Sequence, residues 1–419
     1  MVFDESFENR LKILVNGAKY DVSCSSSGNS RGMKRGALGD TAQNGICHSY
    51  TADGRCISLL KILLSNACAY DCEYCVNRRS ADVPRATLSS TELCELVMHF
   101  YRRNYIEGLF LSSAVVGSPD KTMELLIEAV VKLRKIYNFN GYIHLKGIPG
   151  ADERLIQTAA MYVDRMSFNI ELPTEKSLKM LAPQKTKEAI VAPMKQLSVI
   201  SEEKSLRQRF LPAGQTTQMI VGASGEADGH IIRLSSYLYN KYGMKRVYYS
   251  SYVPVVSSPL LPALPTGLLR EHRLYQADWL LRFYGFSAEE IIGEGENLPA
   301  DVDPKEYWAL RNISLFPVEI NSAPYEMLLR IPGVGHKSAA KILSARRVHA
   351  LDFCDLIAMR VSLKKARHFI TCKGKYFGCD KGAEVLRPML SLSGGFAVNE
   401  QLSLFGTGET AYSALLGEV

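Results

Sequence analysis

The chain has 419 residues, of which 47% are hydrophobic and 22% charged, and its formal net charge is +7. This composition is that of a folded globular protein and excludes a disordered or fibrous chain. No apolar run reaches the ~18 residues of a membrane helix, and the first ten residues lack the apolar core of a secretory signal. We therefore expect a cytoplasmic protein with no membrane partner, whose ten cysteines are reduced thiols.

The positive charge is concentrated in one segment. The residues from Arg330 to Tyr376 include eleven Lys or Arg and two Asp, a local net charge of +9, so the rest of the chain carries −2. A basic surplus confined to one segment indicates a surface that binds a polyanion, although a solvated basic face has the same composition.

Residues 1–56 are predicted as an N-terminal extension, with a short amphipathic helix over 7–15 and a Gly- and Ser-rich stretch after it. Three cysteines lie in or beside this stretch: Cys24, Cys47 and Cys56. They have the chemistry to hold a second cluster or a zinc ion. No C-x2-C pair anchors such a site, and ordinary thiols are the alternative.

Between residues 57 and 265, apolar strand-like runs alternate with helical patterns. The predicted strands cover 57–64, 107–113, 141–147, 164–171, 216–222 and 245–252. Six strand–helix repeats predict an α/β fold with a parallel sheet and right-handed crossovers. Four prolines between residues 253 and 265 end this pattern.

The loop after the first predicted strand carries Cys68, Cys72 and Cys75 at C-x3-C-x2-C spacing, with Tyr74 before the last cysteine. Three thiolates in one tight loop can bind one corner of an iron–sulfur cube and leave one iron open to another ligand. A zinc knuckle without its fourth ligand is the alternative. The pattern resembles the radical S-adenosylmethionine (SAM) superfamily, and the repeats are similar to its partial, TIM-like (β/α)6 barrel.

The resemblance implies a [4Fe-4S] cluster on the three cysteines, with its open iron chelated by the amino and carboxylate groups of SAM. An electron from the cluster then breaks SAM into methionine and a 5′-deoxyadenosyl radical. The resemblance also implies an electron donor such as flavodoxin or ferredoxin.

Ligands in such barrels bind at the carboxyl ends of the strands, and this rule selects candidate SAM contacts. Ser112 and Ser113 end the second strand, where the superfamily has Gly-Gly-Glu for the methionyl amine, so the chain departs from the pattern there. The other candidates are Tyr74, Asn169, Glu171, Ile220 and Gly222. The last two are similar to the superfamily's adenine-contacting Ile-x-Gly. Ordinary caps of the following helices are the alternative for each polar strand end.

Five further polar residues lie on predicted strands three and six. His144 and Lys146 alternate along strand three and can both point into the barrel, although a core histidine is commoner. Tyr248, Tyr249 and Tyr252 end strand six. Tyrosines can relay hydrogen atoms, but packing is the expected role, and no residue is predicted as the hydrogen donor.

Residues 266–312 are predicted as a helical connector and 313–390 as a pair of helical hairpins. In the first hairpin, Pro332 ends a helix and Gly333-Val334-Gly335 makes a tight turn before the next helix, whose N-terminus can bind a phosphate. A degenerate copy follows, with its turn at 360–362. The segment resembles the helix-hairpin-helix of DNA repair and recombination proteins.

This second resemblance implies a small all-α domain that grips DNA by its phosphates without reading bases. A purely structural helical pair is the alternative, which the local charge disfavours. The candidate DNA contacts are Gly333, Val334, Gly335, Lys337, Ser338, Lys341, Lys364 and Lys365.

Residues 391–419 are rich in small residues and are predicted as a flexible tail. Within them, Gln401-Leu402-Ser403-Leu404-Phe405 resembles the pentapeptide that docks bacterial repair proteins on the DNA polymerase sliding clamp. In that resemblance Gln401 fixes the register, while Leu402, Leu404 and Phe405 fill an apolar pocket.

Cysteine loop, barrel and hairpins in this order resemble a family of radical SAM proteins assigned to DNA modification or repair. The expected function is radical chemistry on DNA, with the target base flipped out of the duplex or already distorted. Two alternatives remain at this stage: a radical SAM enzyme that modifies tRNA or another RNA, and a non-catalytic iron–sulfur protein that recruits partners to DNA.

Overall fold

The computed structural model describes residues 4–18, 46–50, 56–204, 210–379 and 382–393. The described chain divides into two compact units, the first made of 4–225 and 237–266 and the second of 226–236 and 267–393. The predicted docking pentapeptide at 401–405 lies outside the described residues. So do Cys24 and the side chains of Cys47 and Cys56, which were the predicted ligands of a second metal site.

The first unit contains one mixed sheet. Its strands are β1 Ile46–Tyr50, β2 Cys56–Leu63, β3 Gly108–Ser112, β4 Tyr142–Lys146, β5 Arg165–Ser167, β6 Gln215–Val221 and β7 Arg246–Ser251. They lie side by side in chain order. From β2 to β7 all neighbours are parallel, and β1 is antiparallel to β2. The predicted α/β fold with six parallel strands in the order of a partial barrel is therefore confirmed, whereas β1 was not predicted.

The helices up to residue 242 are α1 Glu5–Ala18, α2 Ser90–Arg102, α3 Pro119–Lys135, α4 Glu153–Ala160, α5 Glu175–Leu181, α6 Lys187–Lys204 and α7 Asp228–Tyr242. Local sequence explains where they begin. At α2, Ser89 and Glu92 form a capping box, and at α3, Ser118 is the N-cap and a proline takes the first helical position. In the part of the chain described, no helix combines the length and hydrophobicity needed to cross a membrane.

The two faces of the parallel sheet differ in chemistry. One row across neighbouring strands is apolar and fully buried: Ile62, Leu111, Leu145 and Met166. The adjacent row mixes polar and aromatic groups: Lys61, Phe110, His144 and Arg165. Because side chains alternate across a strand, these rows point to opposite faces. Both faces are buried, since Lys61, Phe110 and His144 of the mixed row are also shielded from solvent.

The second unit holds helices α8 Leu268–Phe283, α9 Ala288–Ile291, α10 Pro304–Arg311, α11 Tyr325–Arg330, α12 His336–Ala345, α13 Phe353–Ala358, α14 Leu363–Ala366 and α15 Gly382–Ser393. It also contains a small sheet of β8 Val318–Glu319, β9 Ile370–Cys372 and β10 Lys375–Tyr376. The prediction of an all-α domain is wrong in this respect. Strands of two or three residues are too short to produce a periodic sequence signal.

The helix pairs α11–α12 and α13–α14 share two local features in their turns. Their turns share a residue with positive φ, Gly333 at +83° and Arg360 at +63°. The residue after each is a buried valine, Val334 and Val361. The two turns touch, since the backbone N–H of Ser362 donates to the carbonyl of Gly333 at 3.2 Å. A left-handed residue followed by a buried valine therefore defines both turns, even though the second lacks glycine.

Candidate functional site

The cysteine loop, residues 66–86, follows β2 at the carboxyl edge of the sheet. Arg85 fixes its shape by donating to four carbonyl oxygens, those of Asn66, Asn77, Arg78 and Ala81, at 2.6–2.9 Å. A half-buried arginine with its donors used on backbone oxygens holds a loop in one conformation. The loop is therefore shaped by its own side chains, and its three cysteines are left for another task.

The loop after β3 is tied to the cysteine loop by the backbone. The N–H of Ala69 donates to Val115 at 2.7 Å, and that of Ala114 donates to Ser65 at 2.8 Å. Between the two loops lies a cavity of about 340 Å³ lined by Ala67, Cys68, Ala69, Arg79, Arg85, Val116 and Gly117. A space of this size beside a thiol and the exposed guanidinium of Arg79 suits a small molecule that carries a carboxylate.

Cys68, Cys72 and Cys75 lie close enough to interact electrostatically. Burial raises the pKa of Cys72, and it raises the pKa of Cys75 to about 12, with further contributions from the neighbouring thiols. All three are free cysteines. Because a metal binds the thiolate, such thiols lose their protons when the metal enters.

A buried ion pair lies against the cysteine loop. The Nζ atom of Lys185 is 2.9 Å from Oε1 of Glu171, and the two side chains are 15% and 10% exposed. The same Nζ lies 6.0 Å from the ring centroid of Tyr74. The Lys185 charge acts to lower the pKa of Cys72 and of Cys75, against the larger effect of burial. The site thus combines three thiols with a fixed cation.

Sequence reasoning selected Glu171 but missed Lys185. Lys185 belongs to a turn between α5 and α6, where its N–H donates to the carbonyl of Ala182 at 2.9 Å. This turn docks on the cysteine loop, because Glu73 donates its N–H to the carbonyl of Leu181 at 2.8 Å. The rule that ligands bind at the carboxyl ends of strands selects residues in loops that directly follow strands. It therefore does not select a lysine that lies between two helices.

The predicted SAM contacts at the strand ends are all at the same edge but differ in their contacts. Ser112 is fully buried. Ser113 donates its hydroxyl to the carbonyl of Ala114 at 2.8 Å. Asn169 donates to the side chain of Gln218 at 3.2 Å, and half-buried Ile220 donates its N–H to the carbonyl of Glu171 at 2.7 Å. These contacts hold the strand ends in place.

Glu171 and Gly222 both adopt positive φ, at +65° and +85°. At Gly222 a Cβ atom would lie 2.0 Å from Oγ1 of Thr266, so close packing of Thr266 explains the glycine. Tyr74 has a buried hydroxyl with no hydrogen-bond partner among the described residues. The hydroxyl lies beside the Cys72 thiol and acts to lower the pKa of that thiol, against the larger effect of burial.

The mixed row of the sheet carries His144 and several cations. His144 Nε2 lies 3.0 Å from the hydroxyl of Ser167, and its ring meets the Phe110 ring edge-on at 4.4 Å. Burial, with Arg165, Lys146 and Lys61 nearby, lowers the pKa of His144 well below its usual value. His144 is therefore neutral at physiological pH. Lys61 lies inside the apolar strand β2, and this lysine could have indicated from the sequence that one face of the sheet carries polar groups.

The three tyrosines of β7 and its end are buried. Tyr252 has a hydroxyl without a hydrogen-bond partner in the described residues, and burial raises its pKa. Tyr249 is fully buried. Packing, as expected from the sequence, accounts for the position of these rings.

The cysteine loop provides three thiols as metal donors. Among the described residues, no three His, Cys, Asp or Glu side chains are close enough to bind one metal ion together. In a [4Fe-4S] cluster, however, each cysteine binds a different iron, and three thiols on one loop with a buried cation nearby fit that arrangement. Cys68, Cys72 and Cys75 would hold it.

In the second unit, Lys305 of α10 contacts the turn of the first hairpin. Lys305 donates to the carbonyl of Val334 at 2.5 Å, and its Nζ lies 4.7 Å from the ring centroid of Tyr284. Burial lowers the pKa of Lys305 to about 7. Helix α12 begins after Gly335, which provides no side-chain cap, so backbone N–H groups at this terminus keep their capacity for an external acceptor.

The predicted DNA contacts divide into two groups. Lys337, Lys341 and Lys364 are exposed. Val334 is buried, and Lys365 lies 2.9 Å from Asp303 and 2.7 Å from Glu306, so its charge is already neutralised within the unit. Ser338 and the two turn glycines are half-buried.

Most of the basic surplus of this segment faces solvent. Arg330 is paired with Glu290, and Arg346 donates to the carbonyls of Ile320 and Ala323. The other basic residues, apart from Lys365, are exposed: Lys337, Lys341, Arg347, Arg360, Lys364, Arg367, Lys373 and Lys375.

Comparison with known proteins gives little to add to these observations. No family model and no curated protein matches the sequence. Two similar solved structures are the FeFe-hydrogenase maturase HydG from Carboxydothermus hydrogenoformans, with 16% identity and a TM-score of 0.41, and a second HydG structure, with 14% and 0.40. Each match covers 52% of this chain and 49% or 48% of the other, so the chain spans about half the length of the structures it matches. Likeness at this level carries no conclusion about function.

Proposed function

We propose that this chain is a radical SAM enzyme that acts on nucleic acid, with DNA as the substrate. The observation that supports the chemistry is the set of three thiols on a rigid loop at the carboxyl edge of six parallel strands. When bound there, a [4Fe-4S] cluster supplies the electron that splits SAM and generates the 5′-deoxyadenosyl radical.

The residues of the chain have separate roles in this proposal. Cys68, Cys72 and Cys75 hold the cluster as thiolates. The cavity beside Cys68 receives SAM, and Arg79 on its wall is the partner for the carboxylate. Val116 and Gly117 of the loop after β3 form the other wall of this cavity.

The nucleic-acid part of the proposal is supported by the paired hairpins. The α12 terminus and the exposed Lys337 and Lys341 offer N–H groups and charge to one phosphate, and Lys364 on the second hairpin offers charge to another. Such contacts position a backbone and carry no sequence information. A target base reaches a buried site only after it leaves the stack.

The cluster and its chemistry can be tested on the full-length protein. After anaerobic reconstitution with iron and sulfide, the protein is incubated with SAM, dithionite and DNA deuterated in its sugars and bases. We expect 5′-deoxyadenosine to form and to contain deuterium. Formation of 5′-deoxyadenosine without deuterium would contradict DNA as the substrate. Its absence would contradict the enzyme and favour a non-catalytic recruiter.

The nature of the polymer is tested separately. Duplex DNA and unmodified tRNA compete for the protein in a fluorescence anisotropy experiment at fixed salt. We expect DNA to displace a labelled duplex at lower concentration than tRNA does. The reverse order would favour the alternative of an RNA-modifying enzyme.

Two protein partners belong to the proposal. A small electron carrier such as flavodoxin or ferredoxin would reduce the cluster, and the DNA polymerase sliding clamp would bind Gln401-Leu402-Ser403-Leu404-Phe405. Replacing Leu404 and Phe405 by alanine should abolish clamp binding in a pull-down with purified clamp and leave SAM cleavage unchanged. Binding that survives the replacement would contradict the clamp proposal.

A further inference from the structure

Lys185 and Glu171 form a buried ion pair that no sequence motif predicted. Their contact is 2.9 Å, and at 15% and 10% exposure both side chains are nearly out of water. Burial of two charges costs free energy that the mutual attraction offsets only in part. A buried ion pair therefore indicates a role other than stabilisation of the fold.

The position of the pair is fixed from two sides. Glu171 follows β5 with positive φ, and its backbone pairs with β6, its N–H donating to Gln218 at 3.0 Å and its carbonyl accepting from Ile220 at 2.7 Å. Lys185 is fixed by the turn that docks on Glu73. Neither end of the pair can move away without breaking backbone hydrogen bonds.

The pair faces the cysteine loop. The ammonium of Lys185 lies 6.0 Å from the ring centroid of Tyr74, which directly precedes Cys75. Cys72 is buried, with 6% of its surface exposed. Since charges interact strongly in a medium of low dielectric, a cation at this place stabilises negative charge on the thiolates.

We propose that Lys185, held by Glu171, is the charge-balancing residue of the metal centre. This inference rests on the cysteine part of the proposed function. Three thiolates around a [4Fe-4S] core leave a net charge of −1, and one electron makes it −2. A fixed cation therefore favours both the binding of the cluster and its reduced form, and Glu171 limits the effect by neutralising part of the charge.

The test compares three full-length variants after anaerobic reconstitution: Lys185→Met, Glu171→Gln and Lys179→Met. Lys179 forms an exposed ion pair with Glu175 on α5 and serves as the matched control. The readouts are iron bound per chain across a series of chelator concentrations and the reduction potential from an EPR-monitored titration. Neither readout requires SAM or DNA.

We expect Lys185→Met to lose iron at roughly 10-fold lower chelator concentration than the parent, as is typical when a group that supports metal ligands is removed. Its potential should shift to more negative values. Glu171→Gln, which leaves the cation unopposed, should shift the potential in the positive direction. Lys179→Met should behave like the parent protein.

The outcomes separate this inference from the proposed function. If the parent protein binds no cluster, the proposed function fails. If the parent binds a cluster but the Lys185→Met and Glu171→Gln potentials equal that of the parent, the charge-balancing role is overturned. A shift of the same sign in both variants would also overturn it, because a merely structural disturbance does not distinguish the removal of a cation from the removal of an anion. Circular dichroism of each variant checks that the fold is retained.

Discussion

Charged side chains are buried and paired at the carboxyl edge of the sheet but exposed on the hairpin pair. At the sheet edge, Glu171 and Lys185 are buried and paired beside buried thiols. On the hairpins, Lys337, Lys341 and Lys364 are exposed. Buried charges are fixed at one distance and act strongly on a small centre, whereas exposed charges act over a Debye length on an extended polymer. In the proposed function, the first region therefore carries the chemistry and the second binds the polymer.

The largest effect is expected from removal of a thiol. Cys72→Ala should abolish cluster binding, because two thiolates on this loop cannot hold an iron–sulfur cube. The measurement is iron and sulfide per chain after reconstitution. Exposed Cys354 in the second unit provides the control, and Cys354→Ala should bind as much iron as the parent. Equal iron in both variants would remove the metal centre from this loop.

The exposed hairpin charges give the next effect. The double variant Lys337→Ala/Lys341→Ala should bind duplex DNA roughly 10-fold more weakly at low salt, and the slope of log K against log salt should fall by about 2. Fluorescence anisotropy measures both quantities. Lys176→Ala on α5 removes an equally exposed charge from the first unit and should change neither. An unchanged slope in the double variant would mean that the hairpins do not contact phosphates.

The turn of the first hairpin depends on glycine at one position only. Gly333 has φ of +83°, and a Cβ there would lie 2.6 Å from the carbonyl oxygen of Ser362. Gly333→Ala should therefore destabilise the second unit by about 1–3 kcal/mol and weaken DNA binding. At Gly335 φ is −99° and the nearest contact of a Cβ is 3.4 Å, so Gly335→Ala should cost less. Urea unfolding of the two variants distinguishes them, and equal midpoints would contradict the structure of the turn.

The smallest effect concerns Glu319, which ties β8 to the β9–β10 turn. Burial alone would raise the pKa of this carboxylate, but hydrogen bonds from Gly374, Asn321 and Thr371 outweigh it and lower the pKa to about 2. A carboxylate with a lowered pKa stabilises the fold fully above about pH 4.5, and the contribution is lost as the pH falls towards 2.

Glu319→Gln should accordingly lower the free energy of unfolding by about 1–2 kcal/mol at pH 7 and by less at pH 3. Urea unfolding at the two pH values measures the difference. A loss that is equal at both would show that the carboxylate charge contributes nothing.

The parallel sheet was predictable because its strands are apolar runs that alternate with well-capped helices, as at Ser89 and Ser118. The position of the cysteine loop followed from its place directly after β2. The turn at Gly333 was predictable because Pro332 and the glycine mark it, and the predicted second turn contains Arg360, which also has positive φ.

The parts that escaped prediction depend on contacts between residues distant in sequence. Lys185 meets the cysteine loop through a turn between two helices, and Lys365 meets Asp303 across 62 positions of the chain. The sequence reading counted Lys365 as a phosphate contact because charge is visible in a sequence and pairing is not. The β8–β9 pairing was not predicted because only two residues of each strand pair, and so short a segment shows no period in the sequence.

The most direct test of the account is an EPR spectrum of the full-length protein, reconstituted and reduced without oxygen, before and after addition of SAM. The account predicts the signal of a reduced [4Fe-4S] cluster, and a change in that signal when SAM binds the open iron. A spectrum without a cubane signal, or one that SAM leaves unaltered, would contradict the central claim that Cys68, Cys72 and Cys75 hold a cluster with a vacant position.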